Sequence, residues 1–186
     1  MQGQSFITAV CTALVSVVLA ATTASTVCAQ MAVGGAYMVA GVTKSDGKKA
    51  ADFSWSDGKK TIKLSELGKG KPMFINFWAT WCPPCRAEIP DIVQLTNELK
   101  GKVVFVGVSM DQDRTDEKTL KLVSGFMAKN SMPYPNIIAN NDLFKAYGSP
   151  EAIPTTFIVD KNGNIAETIV GSRSKQEFLD ALKKVM

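Results

Sequence analysis

The stretch Met73-Phe74-Ile75-Asn76-Phe77-Trp78 runs through Ala79, Thr80 and Trp81 into Cys82-Pro83-Pro84-Cys85. The first six residues form a nearly continuous apolar run, which reads as a central strand buried on both faces. Beyond Cys85 the landmarks Glu88, Ile89, Ile92, Val93 and Leu99 recur at helical spacing. A cysteine pair two residues apart is therefore placed where a strand gives way to a helix. Cys82 sits at the helix end, where free backbone N–H groups converge, and such a site lowers a thiol below its free pKa of about 8.5. This reading makes Cys82 the exposed attacking thiol and Cys85, one turn inside, the resolving thiol. Pro83 and Pro84 suit the first helical turn, whose N–H groups have no partner within the helix and whose φ the ring presets.

Two cysteines so spaced have other uses. A zinc site takes four ligands, usually Cys or His. The chain contains no histidine, and its remaining cysteines, Cys11 and Cys28, lie in the N-terminal leader. Covalent haem attachment needs a histidine after the second cysteine, and Arg86 stands there. A purely structural bridge would close so short a loop that it contributes little chain-entropy stabilisation. A redox dithiol remains the favoured reading, with no metal and no organic cofactor expected.

Phe77 to Pro90, with Ala152-Ile153-Pro154-Thr155-Thr156-Phe157 as a second anchor, resembles the thioredoxin superfamily. Within it the chain looks most like the TlpA/ResA/CcmG branch of extracytoplasmic thiol–disulfide oxidoreductases. The resemblance runs from residue 51 to the C-terminus with the motifs in order. It implies a three-layer α/β fold, a central mixed sheet with helices on both faces, an N-terminal hairpin and a central strand–helix insertion. It also implies that Ile153-Pro154 is a cis bond facing the dithiol, beside which a substrate chain pairs. A proline entering a strand is otherwise an ordinary strand-start feature. With Trp81, Pro83 and Pro84, these two residues form the expected substrate-binding rim.

Asn76 departs from the superfamily pattern, which commonly has a buried Asp there to exchange protons with the second cysteine. Asn cannot titrate. Glu88 lies one turn beyond Cys85 on the same helix face. It is either a solvated helix carboxylate or, as the ResA-like resemblance implies, a group beside the dithiol that manages the Cys85 proton.

The rest of the 186-residue chain fits one domain behind a leader. No charged side chain precedes Lys44, and Phe6 to Ala21 is apolar. That run suits a signal-peptide core and is short for a spanning helix of about 20 residues. Residues 1–29 read as a signal peptide cleaved after Val27-Cys28-Ala29 or as a retained membrane anchor, with lipidation at Cys28 ranked last. Either form of export places the dithiol where disulfides are made and managed. Residues 30–50 read as a glycine-interrupted connector, and 51–186 as the thioredoxin-like domain. A net charge of +4, spread over scattered lysine pairs, gives no nucleic-acid footprint.

Phe53 and Trp55 on one side of Asp57-Gly58, with Ile62 and Leu64 on the other, predict a hairpin. Strands are expected at 102–109, 135–139, 155–160 and 165–170. Helices are expected at 141–147, around Leu120 to Met127, and after the capping box Ser174 to Glu177. The expected function is exchange of disulfides with protein substrates in the reducing direction. The resemblance suggests the haem-site cysteines of apocytochrome c or a copper-site protein, served by an exported or membrane dithiol donor. Two competing readings are a peroxiredoxin-like peroxidase and a non-enzymatic copper-chaperone-type binding protein. The absent histidine argues against the latter.

Overall fold

The computed structural model describes residues 34–186 apart from residue 46. The leader assigned to 1–29, including Phe6 to Ala21 and Val27-Cys28-Ala29, lies outside the described residues. In chain order the elements are β1 (Ala36–Val42), β2 (Phe53–Ser56), β3 (Thr61–Lys63), α1 (Leu64–Leu67), β4 (Met73–Trp78) and α2 (Pro83–Glu98). They continue as β5 (Val104–Ser109), α3 (Asp116–Lys129), β6 (Asn136–Ile138), α4 (Asn141–Ala146), β7 (Thr155–Val159), β8 (Ile165–Val170) and α5 (Lys175–Lys183).

Among the described residues the strands form one eight-stranded sheet, ordered β3-β2-β1-β6-β5-β4-β7-β8. β1, β6, β5 and β4 are mutually parallel, while β7, β8, β2 and β3 add antiparallel neighbours. β4 is buried at every position because both faces are covered. Phe74 and Trp78 enter one apolar core with Ile89, Ile92 and Leu95 of α2, Val123 and Met127 of α3, and Phe178 and Leu182 of α5. Ile75 and Phe77 enter the other with Phe53, Trp55, Leu64 and Leu143. Two successive right-handed crossovers, β4-α2-β5 and β5-α3-β6, advance across the sheet in one direction, so α2 and α3 share a face. α1 and α4 cover the opposite face, giving the expected three layers.

The connector reading of residues 30–50 needs correction. Ala36–Val42 is a strand, β1, seated between β2 and β6. Farther along, Ala50 N–H donates to the Gly163 carbonyl at 3.0 Å, and Ile165 N–H donates to that of Lys48 at 2.9 Å. Backbone pairing on both sides holds these residues, so a weak side-chain pattern broken by Gly34, Gly35 and Gly41 hid the strand. The hairpin at Asp57-Gly58 is present, with Trp55 opposite Ile62. α2 runs unbroken through Pro90.

One side-chain contact bridges β4 and β6 across Gly107 of β5. The Trp78 indole N–H donates to Asn136 Oδ1 at 2.8 Å, directly over Gly107. A Cβ on Gly107 would meet that oxygen at 1.9 Å. Asn136 is fully buried and has no room to yield. Gly107→Ala should therefore cost about 1–3 kcal/mol by overpacking and by loosening a buried hydrogen bond. Urea unfolding would show this as a lowered midpoint; an unchanged midpoint would contradict the packing account.

Candidate functional site

The dithiol is positioned by the end of β4 and the first turn of α2. Cys82 and Cys85 are joined by a disulfide, with their Cα atoms 5.3 Å apart. Cys82 is the N-cap of α2, in extended conformation, and its Sγ accepts from the Cys85 N–H at 3.3 Å. Pro83 and Pro84 occupy the next two positions and carry no N–H. Two of the free donors that usually gather at a helix start are thus missing. Among the described first-turn amides, Cys85 N–H is the one bonded to the sulfur.

The turn ahead of Cys82 is fixed by a residue that the sequence did not single out. Asp111 is buried just beyond β5 and accepts from Thr80 N–H at 2.9 Å, Thr80 Oγ1 at 2.5 Å and Ser109 Oγ at 2.8 Å. Met110 N–H also donates to the Trp78 carbonyl at 2.8 Å. These bonds tie the loop leading into the dithiol to the neighbouring strand end. The one available signal was a Ser-x-Asp pair after an apolar run, which alone marks no site.

Ile153-Pro154 is a cis peptide bond, and the Ile153 carbonyl oxygen lies 3.6 Å from Cys82 Sγ. In the disulfide form the sulfur has no proton to donate, so this is a packing contact. The exposure expected of Cys82 differs from what is observed: it is 3% exposed and Cys85 0%. The helix cap and the Ile153 loop close around the sulfur, whereas the sequence argument considered only the helix end. Trp81 beside it is 64% exposed, and Pro83 and Pro84 are exposed too. The surface around the disulfide is consequently an apolar rim above a nearly buried sulfur pair.

Glu88 lies inside the protein, 2% exposed, rather than on the helix surface. Its Oε1 accepts from Asn76 Nδ2 at 2.9 Å, and its Oε2 accepts from the Arg173 N–H at 3.3 Å. Asn76 Nδ2 gives its other hydrogen to Thr156 Oγ1 at 3.0 Å. Burial penalises the carboxylate and raises its pKa from 4.5 to about 7; the donors from Asn76 and Arg173 and the Arg173 charge pull back only partly. The sequence flagged Asn76 for what it cannot do. Its role here as a donor to Glu88 reaches across 12 residues, and the contributions of Thr156 and Arg173 depend on contacts 80 or more residues apart.

Among the described residues no three His, Cys, Asp or Glu side chains group as a metal would require. The geometry offers a dithiol–disulfide pair, a nearby cis-proline loop and a buried carboxyl group poised near neutral pH.

Comparison with known proteins agrees with this geometry. The Redoxin family pattern matches residues 45–184. The thiol-disulfide oxidoreductase ResA of Bacillus anthracis is 36% identical over 141 residues, 75% of this chain and 78% of that protein. A thioredoxin-family thiol:disulfide interchange protein of Chlorobium tepidum superposes with a TM-score of 0.65 at 35% identity, over 77% of this chain and 99% of that one. The exposed lipoprotein thioredoxin Etrx1 of Streptococcus pneumoniae superposes with a TM-score of 0.60 at 29% identity, over 72% and 98% of the two chains.

A raised Glu88 pKa has a signed consequence for stability. The folded protein binds this proton more tightly than the unfolded chain. The Glu88 contribution is therefore most favourable below about pH 4.5, declines as pH rises to about 7, and is flat above. Glu88→Gln should remove that decline, worth up to ~3 kcal/mol across the window. Urea unfolding of parent and variant with the disulfide intact checks this. Parallel stability–pH curves would show that Glu88 titrates normally.

Proposed function

Because the chain belongs to the Redoxin family and is a thiol–disulfide oxidoreductase of the ResA-like kind, we propose that it reduces protein disulfides outside the cytoplasm. The observation that carries this reading is the Cys82–Cys85 disulfide at the start of α2, with the Ile153 carbonyl 3.6 Å from Cys82 Sγ. Cys82 thiolate attacks one sulfur of a substrate disulfide. The substrate S–S bond breaks, a mixed disulfide forms, and the leaving thiolate takes a proton. Cys85 then loses its proton to Glu88 and attacks Cys82 Sγ. The second substrate thiol departs and the Cys82–Cys85 disulfide closes, completing a two-electron transfer. A dithiol protein supplied with electrons from elsewhere re-reduces the pair.

The substrate chain lies against Trp81, Pro83, Pro84 and the Ile153-Pro154 loop, pairing with the loop backbone as a short added strand. The reducing direction is supported by the proline pair. With no N–H on Pro83 or Pro84, the Cys82 thiolate has fewer donors to stabilise it, and a less stabilised thiolate makes a less oxidising disulfide. Fitting substrates are the paired cysteines of an unfolded haem- or copper-site protein. Residues 1–29 direct export or anchor the chain, and the catalytic domain includes β1 and all that follows it. The charge-free leader and the likeness to an exposed lipoprotein support the location.

Trapping tests the two cysteine roles. Cys82→Ser should abolish exchange, while Cys85→Ser should accumulate a long-lived mixed disulfide visible on non-reducing gels. Equal trapping by both variants would overturn the assignment.

A further inference from the structure

Trp81 is 64% exposed, and among the described residues its side chain makes no hydrogen bond and no ring contact. Its place beside the disulfide is therefore set through the backbone of its two neighbours. Cys82, on one side, is fixed several times over. Its N–H donates to the Ala79 carbonyl at 3.2 Å, and its carbonyl accepts from Arg86 N–H at 3.1 Å. Its Sγ accepts from Cys85 N–H at 3.3 Å and packs against the Ile153 carbonyl at 3.6 Å.

Thr80, on the other side, is half-buried and gives both of its donors to one residue. Its N–H reaches Asp111 Oδ2 at 2.9 Å and its hydroxyl reaches Asp111 Oδ1 at 2.5 Å. Asp111 is 1% exposed and is held in turn by Ser109 at the end of β5. The Ser109 hydroxyl donates to Oδ2 at 2.8 Å and accepts from the Asp111 N–H at 3.1 Å. Both carboxyl oxygens are thus engaged by donors, and among the described residues no ion pair includes Asp111. The group acts as a two-pronged acceptor for Thr80. It anchors the turn before the dithiol to the strand that runs beside β4.

We propose that Asp111 is a positioning residue for substrate docking: by gripping both donors of Thr80 it aims Trp81, and through Trp81 it governs capture of the substrate disulfide. This assignment rests on the reading of Trp81 as part of the rim against which the substrate chain lies. Without the Asp111 grip, Cys82 keeps its own bonds, whereas Trp81 keeps support on one side only. The loss therefore falls on the first attack, when the substrate must be held in line with Cys82. It spares the later attack of Cys85 on Cys82, since both sulfurs belong to the start of α2.

Substitutions separate position from charge. In Asp111→Asn the amide oxygen, placed as Oδ2 is, still accepts from Thr80 N–H and Ser109 Oγ. The NH2 group, placed as Oδ1 is, donates to Thr80 Oγ1, because a hydroxyl also accepts. Asp111→Ala removes the grip, and Thr80→Val removes the hydroxyl bond while keeping the N–H bond.

The test uses the full reduced chain and a disulfide-bonded peptide in stopped flow. It reads the second-order rate constant of mixed-disulfide formation and the first-order rate constant of resolution. Asp111→Ala should lower the former by about tenfold and leave the latter unchanged. Asp111→Asn should match the parent in both. In a Trp81→Ala background, Asp111→Ala should cause little further loss, because the two residues act as one unit. A full loss from Asp111→Ala in that background would overturn the proposal, as would an Asp111→Asn protein as slow as Asp111→Ala. A Trp81→Ala protein that captures the peptide as fast as the parent would instead remove the rim reading itself. Near-UV circular dichroism shows whether Asp111→Ala folds. If it does not, Thr80 decides: a loss of capture of about three- to fivefold in Thr80→Val, restored in Thr80→Ser, supports the proposal. A Thr80→Val protein as fast as the parent contradicts it.

Discussion

The hydrogen bond from Asn76 to Glu88 joins the central strand to the dithiol helix inside the protein. Most side chains between β4 and α2 are apolar, and a carboxyl group placed among them is costly to ionise. Asn76 and Arg173 reduce that cost without abolishing it, which leaves Glu88 titrating near neutrality. A surface carboxylate would stay charged throughout the working range. An Asp in place of Asn76 would put two carboxyl groups together, and they would titrate as a coupled pair. The arrangement found here leaves a single titratable carboxyl group in this pair.

The same helix presents the dithiol, and its first turn limits how strongly a thiolate is held. The prolines at its first two positions preset the backbone and remove two donors, leaving Cys85 N–H on the Cys82 sulfur. Around it, Asp111 pins the incoming turn and Gly171 pins the cis-proline loop. These side-chain and backbone bonds come from four separate segments, so the geometry of the sulfur pair depends on the whole end of the sheet rather than on the motif alone. Trp81 remains outside this network and exposed.

Much of this was legible in the sequence because it is local. The apolar run Met73–Trp78, the prolines after Cys82, the Asp57-Gly58 turn and the capping box at Ser174 each follow from short-range chemistry, and each is present. The strand β1 was not legible, since its identity comes from backbone pairing with β2 and β6 rather than from side-chain periodicity. Burial of Glu88 was equally hidden. One turn past Cys85 the helix phase allows either solvent or core, and the partners that decide it are Asn76 before the helix and Arg173 near the chain's end. The near-complete burial of Cys82 likewise needed the Ile153 loop in place.

The most direct test of the account is the midpoint potential of the Cys82–Cys85 couple measured from about pH 5 to about pH 9, in parent and Glu88→Gln proteins. If Glu88 is coupled to the dithiol so that its pKa is higher in the reduced form than the value of about 7 in the disulfide form, reduction between those two pKa values binds a further proton on the carboxylate. The potential of the parent should then fall more steeply with pH across that interval, and the break should vanish in the variant. Superimposable slopes for the two proteins would contradict the account and leave the proton of Cys85 to water or to another group.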